Sequence, residues 1–309
     1  MGECGGHFWA PAHNRGSGPF DSPNTAGSDR KTTPRAARMT KDRLRVLAWQ
    51  LLILVAVLAA WQYLTGIKAI SRTPGLYWID PFFISRPSAI LERLLYLMSP
   101  RVRLTIWQMA LSTVQSTVWG FLVGISTGFA AGLVLGRSDG LARILQPYIV
   151  AFNSLPRIAL VPLITMIFGF GLLAKIVLAW SIVFFIVFFN TFQGARSVDA
   201  DLIHSARFLG ASERQIMTSV IVPSALAWTF ASLTPSISFA LIGVVVGEFI
   251  GGESGGGLGY LIIQSLGTLN AADMMVALLV LGVIGIVMAL GIKQVEARLL
   301  RWRPEYQKR

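Results

Sequence analysis

Six stretches of this 309-residue chain are apolar over lengths near the ~20 residues needed to cross a lipid bilayer, and that repetition constrains the fold more than anything else in the sequence. They run over residues 46–64, 107–135, 144–168, 172–192, 225–250 and 274–292. Hydrocarbon offers no hydrogen-bond partner to a bare amide, so long apolar runs of this kind predict an all-α integral membrane fold with six transmembrane helices. Charged residues make up only 14% of the chain, about half the share usual in soluble domains, which argues against a water-soluble globule. The second run is long enough to need tilt. The third carries Pro147, Pro156 and Pro162 and is not expected to be one straight helix, and the fifth carries Pro235.

The 27 Lys and Arg against 15 Asp and Glu, a net +12, would suggest nucleic acid in a soluble chain. In a membrane chain they report topology, and no nucleic-acid partner is expected. With both termini in the cytoplasm, eight cations fall in residues 1–45, two in the second loop (Arg137, Arg143), three in the fourth (Arg196, Arg207, Arg214) and six after residue 292, so 19 of 27 share one side. The other side holds Lys68, Arg72, Arg86, Arg93, Arg101 and Arg103, all in the long first loop, where residues 87–95 read as an amphipathic surface helix. Residues 1–40 are rich in Gly, Pro, Ser and Asn and are expected to be disordered. They do not form a secretory signal peptide, because no apolar core follows a short basic start. Met39 opens a basic lead directly before the first run and is a candidate start, which a native peptide from residues 2–30 in mass spectrometry would refute.

Little in the chain supports covalent chemistry. The one cysteine, Cys4, excludes an internal disulfide and any Cys-based metal site. His7 and His13 lie in the tail and His204 stands alone, so neither metal nor Ser-His chemistry is supported. No Gly-Lys dipeptide occurs, so the chain is not itself a phosphate-loop ATPase. The glycine-rich run 251–259 lacks a following Lys and reads as a flexible turn rather than a phosphate cradle. Gly120, Gly124, Gly128, Gly132 and Gly136, spaced four apart, form a stripe where another backbone can approach closely, either inside the bundle or at a subunit interface. Glu248 is the acid deep in an apolar run; it marks a pathway, or else reaches water from within a turn of the span's outer end. Arg157 lines the cytoplasmic half of a pathway or snorkels to the interface.

The fourth loop, residues 197–223, is too patterned for a mere connector. Asp199 and Asp201 favour a helix start, Gly210 ends that helix, and Ser212 with Gln215 makes a capping box for a second helix leading into span five. The loop resembles the coupling motif E-A-A-x3-G-x9-I-x-L-P of permease subunits of binding-protein-dependent ABC importers. Ala206 and Gly210 match and the spacing to Pro223 fits, while His204 replaces the Glu, Ser205 the first Ala and Val222 the Leu. RPSAIL at 86–91, LGRSDGLARILQPYI at 135–149, SLPRIALVPL at 154–163, FGFG at 168–171, FFNTFQGARSVD at 188–199, GGLGYLI at 256–262 and RLLRW at 298–302 are similar to the nitrate/sulfonate/taurine subgroup.

The resemblance implies an ABC type I importer permease (MetI-like) architecture over residues 41–303, between a tail at 1–40 and a cytoplasmic tail at 304–309. It implies a non-enzymatic chain without cofactor or metal. A homodimer in the bacterial inner membrane would bind an ABC ATP-binding subunit and receive a small solute from an extracytoplasmic substrate-binding protein. His204, Ser205, Ala206, Arg207, Gly210 and Pro223 are the expected coupling residues, with Pro223 setting the angle between loop and membrane. Whether His204 makes docking pH-sensitive or is a tolerated helix residue stays open. An ion-coupled secondary transporter is the alternative, with Glu248 as its carboxylate.

Overall fold

The structure is a computed structural model that describes residues 35–65, 67, 80–100 and 102–299. Cys4, His7, His13, Lys68, Arg72, Arg101 and the tail at 304–309 lie outside the described residues. Within them the regular structure is helical: α1 Arg35–Leu64, α2 Pro81–Ile84, α3 Pro87–Met98, α4 Ile106–Arg137 and α5 Asp139–Ser154. A 3-10 turn, Arg157–Leu160, leads to α6 Val161–Phe168, α7 Leu172–Arg196, α8 Ala200–Phe208 and α9 Glu213–Ile216. A π-helical turn at Met217–Ile221 then enters α10 Val222–Gly255, followed by α11 Leu258–Gly267 and α12 Ala271–Leu299.

Among the described residues five helical runs are long and apolar enough to cross a bilayer, and α5 with α6, bent by 79° at the Pro156 break, makes a sixth if the bent pair is one broken span. Span three is therefore not one straight helix, as expected; the break falls at Pro156, while Pro147 sits within α5 and Pro162 in the first turn of α6.

Two compact units divide the chain at Leu54 and Val55. The first contributes helix from Arg35, so residues 35–40 are helical rather than disordered as expected, and its described side chains from Leu44 onward lie exposed.

In the second unit α7 is the central helix, packed between α4 and α10. The α4 glycine stripe explains the closeness of the first contact. A Cβ added at Gly124 would stand 2.6 Å from Val183 Cβ, at Gly128 2.7 Å from the Phe184 carbonyl oxygen, and at Gly136 2.6 Å from Ala195 Cβ. The stripe thus lies against α7 of the same chain. Phe121, Ala179, Val183, Val187, Leu233, Ile237, Ala240 and Val244 close the core of the three helices. Thr191 and Thr229 share a hydroxyl hydrogen bond of 2.7 Å across α7 and α10.

The amphipathic helix expected in the first loop is α3. It buries Ile90 and Leu97 with Ile106, Leu258 and Val276. Its Arg93 is tied in a fork to Asp273 at the start of α12, with Nε to Oδ1 at 2.7 Å and NH2 to Oδ2 at 2.6 Å. The hydrogen bond to Asp273 and that acid's charge, with smaller help from Tyr96 and Glu92 on the same helix, outweigh burial and raise the Arg93 pKa above its ordinary value.

Candidate functional site

The loop between α7 and α10 is built as its residues require. Asp199 caps α8, its side chain accepting from the Asp201 amide. At the other end the Gly210 amide donates to Arg207 O at 2.9 Å and the Ala211 amide to Ala206 O at 3.0 Å. These two bonds form a Schellman turn, which needs a left-handed residue, and Gly210 supplies it with φ of +83°. Ser212 and Gln215 form the capping box of α9. The inner faces of α8 and α9 are fixed by Ile216 and Ile221, buried with Ala195 and Ala225 and flanked by Ile203, Ala206 and Ala211.

The turn leaves Phe208 and Leu209 93% and 88% exposed at the tip of α8. They are absent from the coupling residues the motif points to, and their signal is an apolar pair directly before the terminating glycine. His204, Ser205 and Gly210 are also exposed, with Ala206 partly covered. His204 shares a pocket of about 360 Å³ with Arg137, Asp139, Arg196 and Arg207. Arg207 is engaged within the chain: its NH2 lies 2.9 Å from Glu213 Oε1, while Arg137 NH2 takes Glu213 Oε2 at 2.5 Å. The Arg137 hydrogen bond, helped by Arg207, holds the Glu213 carboxyl below the usual range. Glu213 thereby ties the helix pair to the end of α4.

Pro223 lies inside a continuous helix. Residues from Glu213 to Ser254 form one helical run of 42 residues. A proline lacks an N–H for the preceding turn, and helical bonding is carried past it by the π-helical turn Met217–Ile221 directly before α10.

Arg157 sits at the break of the bent pair. Its guanidinium lies 4.8 Å from the centre of the Phe185 ring and its NH2 donates to Asn153 Oδ1 at 2.7 Å. Among the described residues its Nε is the buried side-chain polar atom left without a hydrogen-bond partner.

Glu248 does not reach water. Its side chain is 0% exposed and is paired with Lys175, itself 3% exposed, at 3.2 Å. Thr113 Oγ1 lies 2.9 and 3.1 Å from the two carboxylate oxygens, and the Gly259 amide donates to Oε2 at 2.9 Å. Lys175 Nζ also reaches Ser112 Oγ at 2.7 Å and Gly256 O at 3.1 Å. The glycine-rich run is accordingly a fitted wrapping rather than a loose turn: Gly257 has φ of +128°, and a Cβ there would overlap the Glu248 carboxylate.

Residues 120–301 match the family model described as binding-protein-dependent transport system inner membrane component. The chain belongs to this family. The permease is 30% identical over 284 residues, 91% of its own length and 98% of the other, to the aliphatic sulfonates transport permease protein SsuC of Bacillus subtilis strain 168. It is 30% identical over 235 residues, 75% of its length and 84% of the other, to the taurine transport system permease protein TauC of Escherichia coli K12. Among solved structures, an inward-facing MetNI methionine ABC transporter superposes with a TM-score of 0.54 at 21% identity, over 66% of this chain and 97% of that one. The permease has the architecture of an ABC type I importer and is a multi-pass membrane protein.

Proposed function

We propose that this ABC importer permease carries a small anionic solute of the sulfonate or taurine kind across the bacterial cytoplasmic membrane. It does so as a homodimer with both termini cytoplasmic, driven by ATP hydrolysis in a separate subunit that docks at the α8–α9 helix pair. The observation that carries the docking site is the exposed Phe208–Leu209 tip of α8, which the Gly210 turn joins directly to α9 and the continuous run into α10. An apolar anchor on a rigid support can enter a pocket and transmit displacement, which a flexible connector cannot. Ala206, Gly210 and the Glu213–Arg207 pair shape that support; Ser205 and His204 line its outer surface.

The solute class draws on two supports. Two relatives alike over most of the chain are permeases for sulfonates and taurine by their names. Arg157 adds a positive charge at the break of a discontinuous span, a place where transporters commonly hold substrate. Glu248 is enclosed and paired with Lys175, which speaks against the ion-coupled alternative that needs it as an available carboxylate.

The test uses the permease in a Cys4→Ser background with its ATPase subunit and binding protein in vesicles. Cysteine placed at Phe208 should crosslink to the ATPase subunit, and labelled taurine or an alkanesulfonate should accumulate with ATP. Absence of the crosslink from an assembled complex removes the docking site. Uptake that survives ATP depletion but stops with an ionophore favours the ion-coupled alternative.

A further inference from the structure

The polar cluster around Glu248 is left over by the transport reading. Four parts of the chain meet in it: Ser112 and Thr113 on α4, Lys175 on α7, Glu248 on α10, and the turn at Gly256–Gly259 that leads into α11. The Leu258 amide adds a bond of 3.1 Å to Thr113 Oγ1. Thr113 and Glu248 are fully buried and Lys175 is nearly so.

A buried ion pair contributes less to stability than apolar side chains of the same volume, because two charges must be dehydrated. Charges inside a membrane protein are costlier still, and those found there commonly serve a function. Here Lys175 Nζ, Thr113 Oγ1 and Glu248 Oε2 each take one backbone group of the glycine turn, Gly256 O, Leu258 N and Gly259 N respectively, so the cluster orders that turn rather than filling space. The backbone of the turn is suited to rearrangement: Gly252, Gly256 and Gly257 all have positive φ, and Gly252 already interrupts α10.

The position in the fold supplies the second half of the case. Lys175 is in the first turn of α7 and Glu248 in the last turn before the Gly252 break. The α8–α9 helix pair joins the opposite ends of the same two helices. From Val222 to Glu248 runs roughly 39 Å of continuous helix at ~1.5 Å per residue. One rigid element therefore links the docking loop to the cluster.

We propose that Thr113, Lys175 and Glu248 form a polar lock that holds the Gly256–Gly259 turn and α11 closed against α4 and α7, and that movement of α10 opens it during transport. These are positioning residues that act through the turn and touch no solute. The proposal rests on the transport reading above.

The experiment uses the complete reconstituted complex and measures ATP hydrolysis with and without the binding protein. Lys175→Met and Glu248→Gln should raise the unstimulated rate by about fivefold or more, the low end of a coupling between sites, and so reduce the stimulation ratio. Thr113→Val, which keeps both charges, should shift it in the same direction by less. Where the charge variants do not assemble, Thr113→Val and a label carry the test. Leu258→Cys in the Cys4→Ser background should resist a small methanethiosulfonate at rest and react faster with ATP and vanadate. Assembled variants with the wild-type ratio, or Leu258→Cys labelling that ignores nucleotide, overturn the lock. A wild-type complex without uptake or stimulated hydrolysis overturns the transport reading instead.

Discussion

Replacing Gly128 with Ala tests whether the α4–α7 seam depends on missing side chains. The new Cβ would stand 2.7 Å from the Phe184 carbonyl oxygen, 3.1 Å from Val187 Cβ and 3.2 Å from the Phe188 amide nitrogen. Ordinary contact starts near 3.4 Å, so the carbonyl is about 0.7 Å too close. That oxygen is backbone within α7 and cannot swing aside, so relief must come from parting the two helices. A radial gap of roughly 0.5–1 Å forfeits a quarter to a half of each dispersion contact along the seam, and overpacking of this kind costs about 1–3 kcal/mol. Gly282 on α12 is the control, because a Cβ there meets nothing within 4 Å. Alanine at that position should be neutral or stabilising by up to ~1 kcal/mol through helix propensity. The assay is thermal unfolding of the purified chain in detergent, followed by tryptophan emission. Trp180 reports locally, since its Nε1 donates to Thr127 Oγ1 across the same seam at 3.0 Å. We expect Gly128→Ala to lower the midpoint and Gly282→Ala to leave it or raise it. A Gly128→Ala chain as stable as wild type would refute the steric reasoning.

Two further outcomes follow from the charged clusters. Because Arg137 and Arg207 depress the Glu213 pKa, its contribution to ordering the helix pair is complete above the ordinary carboxylate value. It fades only as pH falls through the lower folded value. The protection factors of amides across residues 206–216, exchange rates corrected for base-catalysed intrinsic exchange, should therefore be flat from pH 8 to pH 6, values well above a carboxylate pKa of ~4.3, and Glu213→Gln should lower them at each of these pH values. At the lock, Lys175→Met alone leaves a buried carboxylate without its cation and should cost about 3–5 kcal/mol. Adding Glu248→Gln should restore part of that loss in the same thermal assay, and simple additivity would contradict the pairing.

The helical loop architecture was legible because its signals are local. Asp199, Gly210 and the Ser212–Gln215 pair act within one or two turns of themselves, and each appears where its chemistry requires. The glycine stripe was legible as a close approach, but the spacing could not say whether the facing backbone belonged to this chain; the structure places α7 there. The π-helical turn before Pro223 was not legible, because whether the turn ahead of a proline widens depends on its packing rather than on the proline itself. The bond of Arg207 to Glu213, six residues on, was not legible, because it depends on the turn that brings the two together.

Apolar run length and cation placement settle, before any coordinates, that this is a multi-pass helical membrane protein, since the bilayer imposes its requirement on each segment separately. The fate of Glu248 is another matter. Within its own span it looks like an acid near a helix end with water in reach. Lys175 lies 73 residues away and Thr113 135 residues away. No local pattern encodes such distances; only the packing of α4, α7 and α10, with the glycine turn folded over them, decides that this carboxylate is sealed and paired.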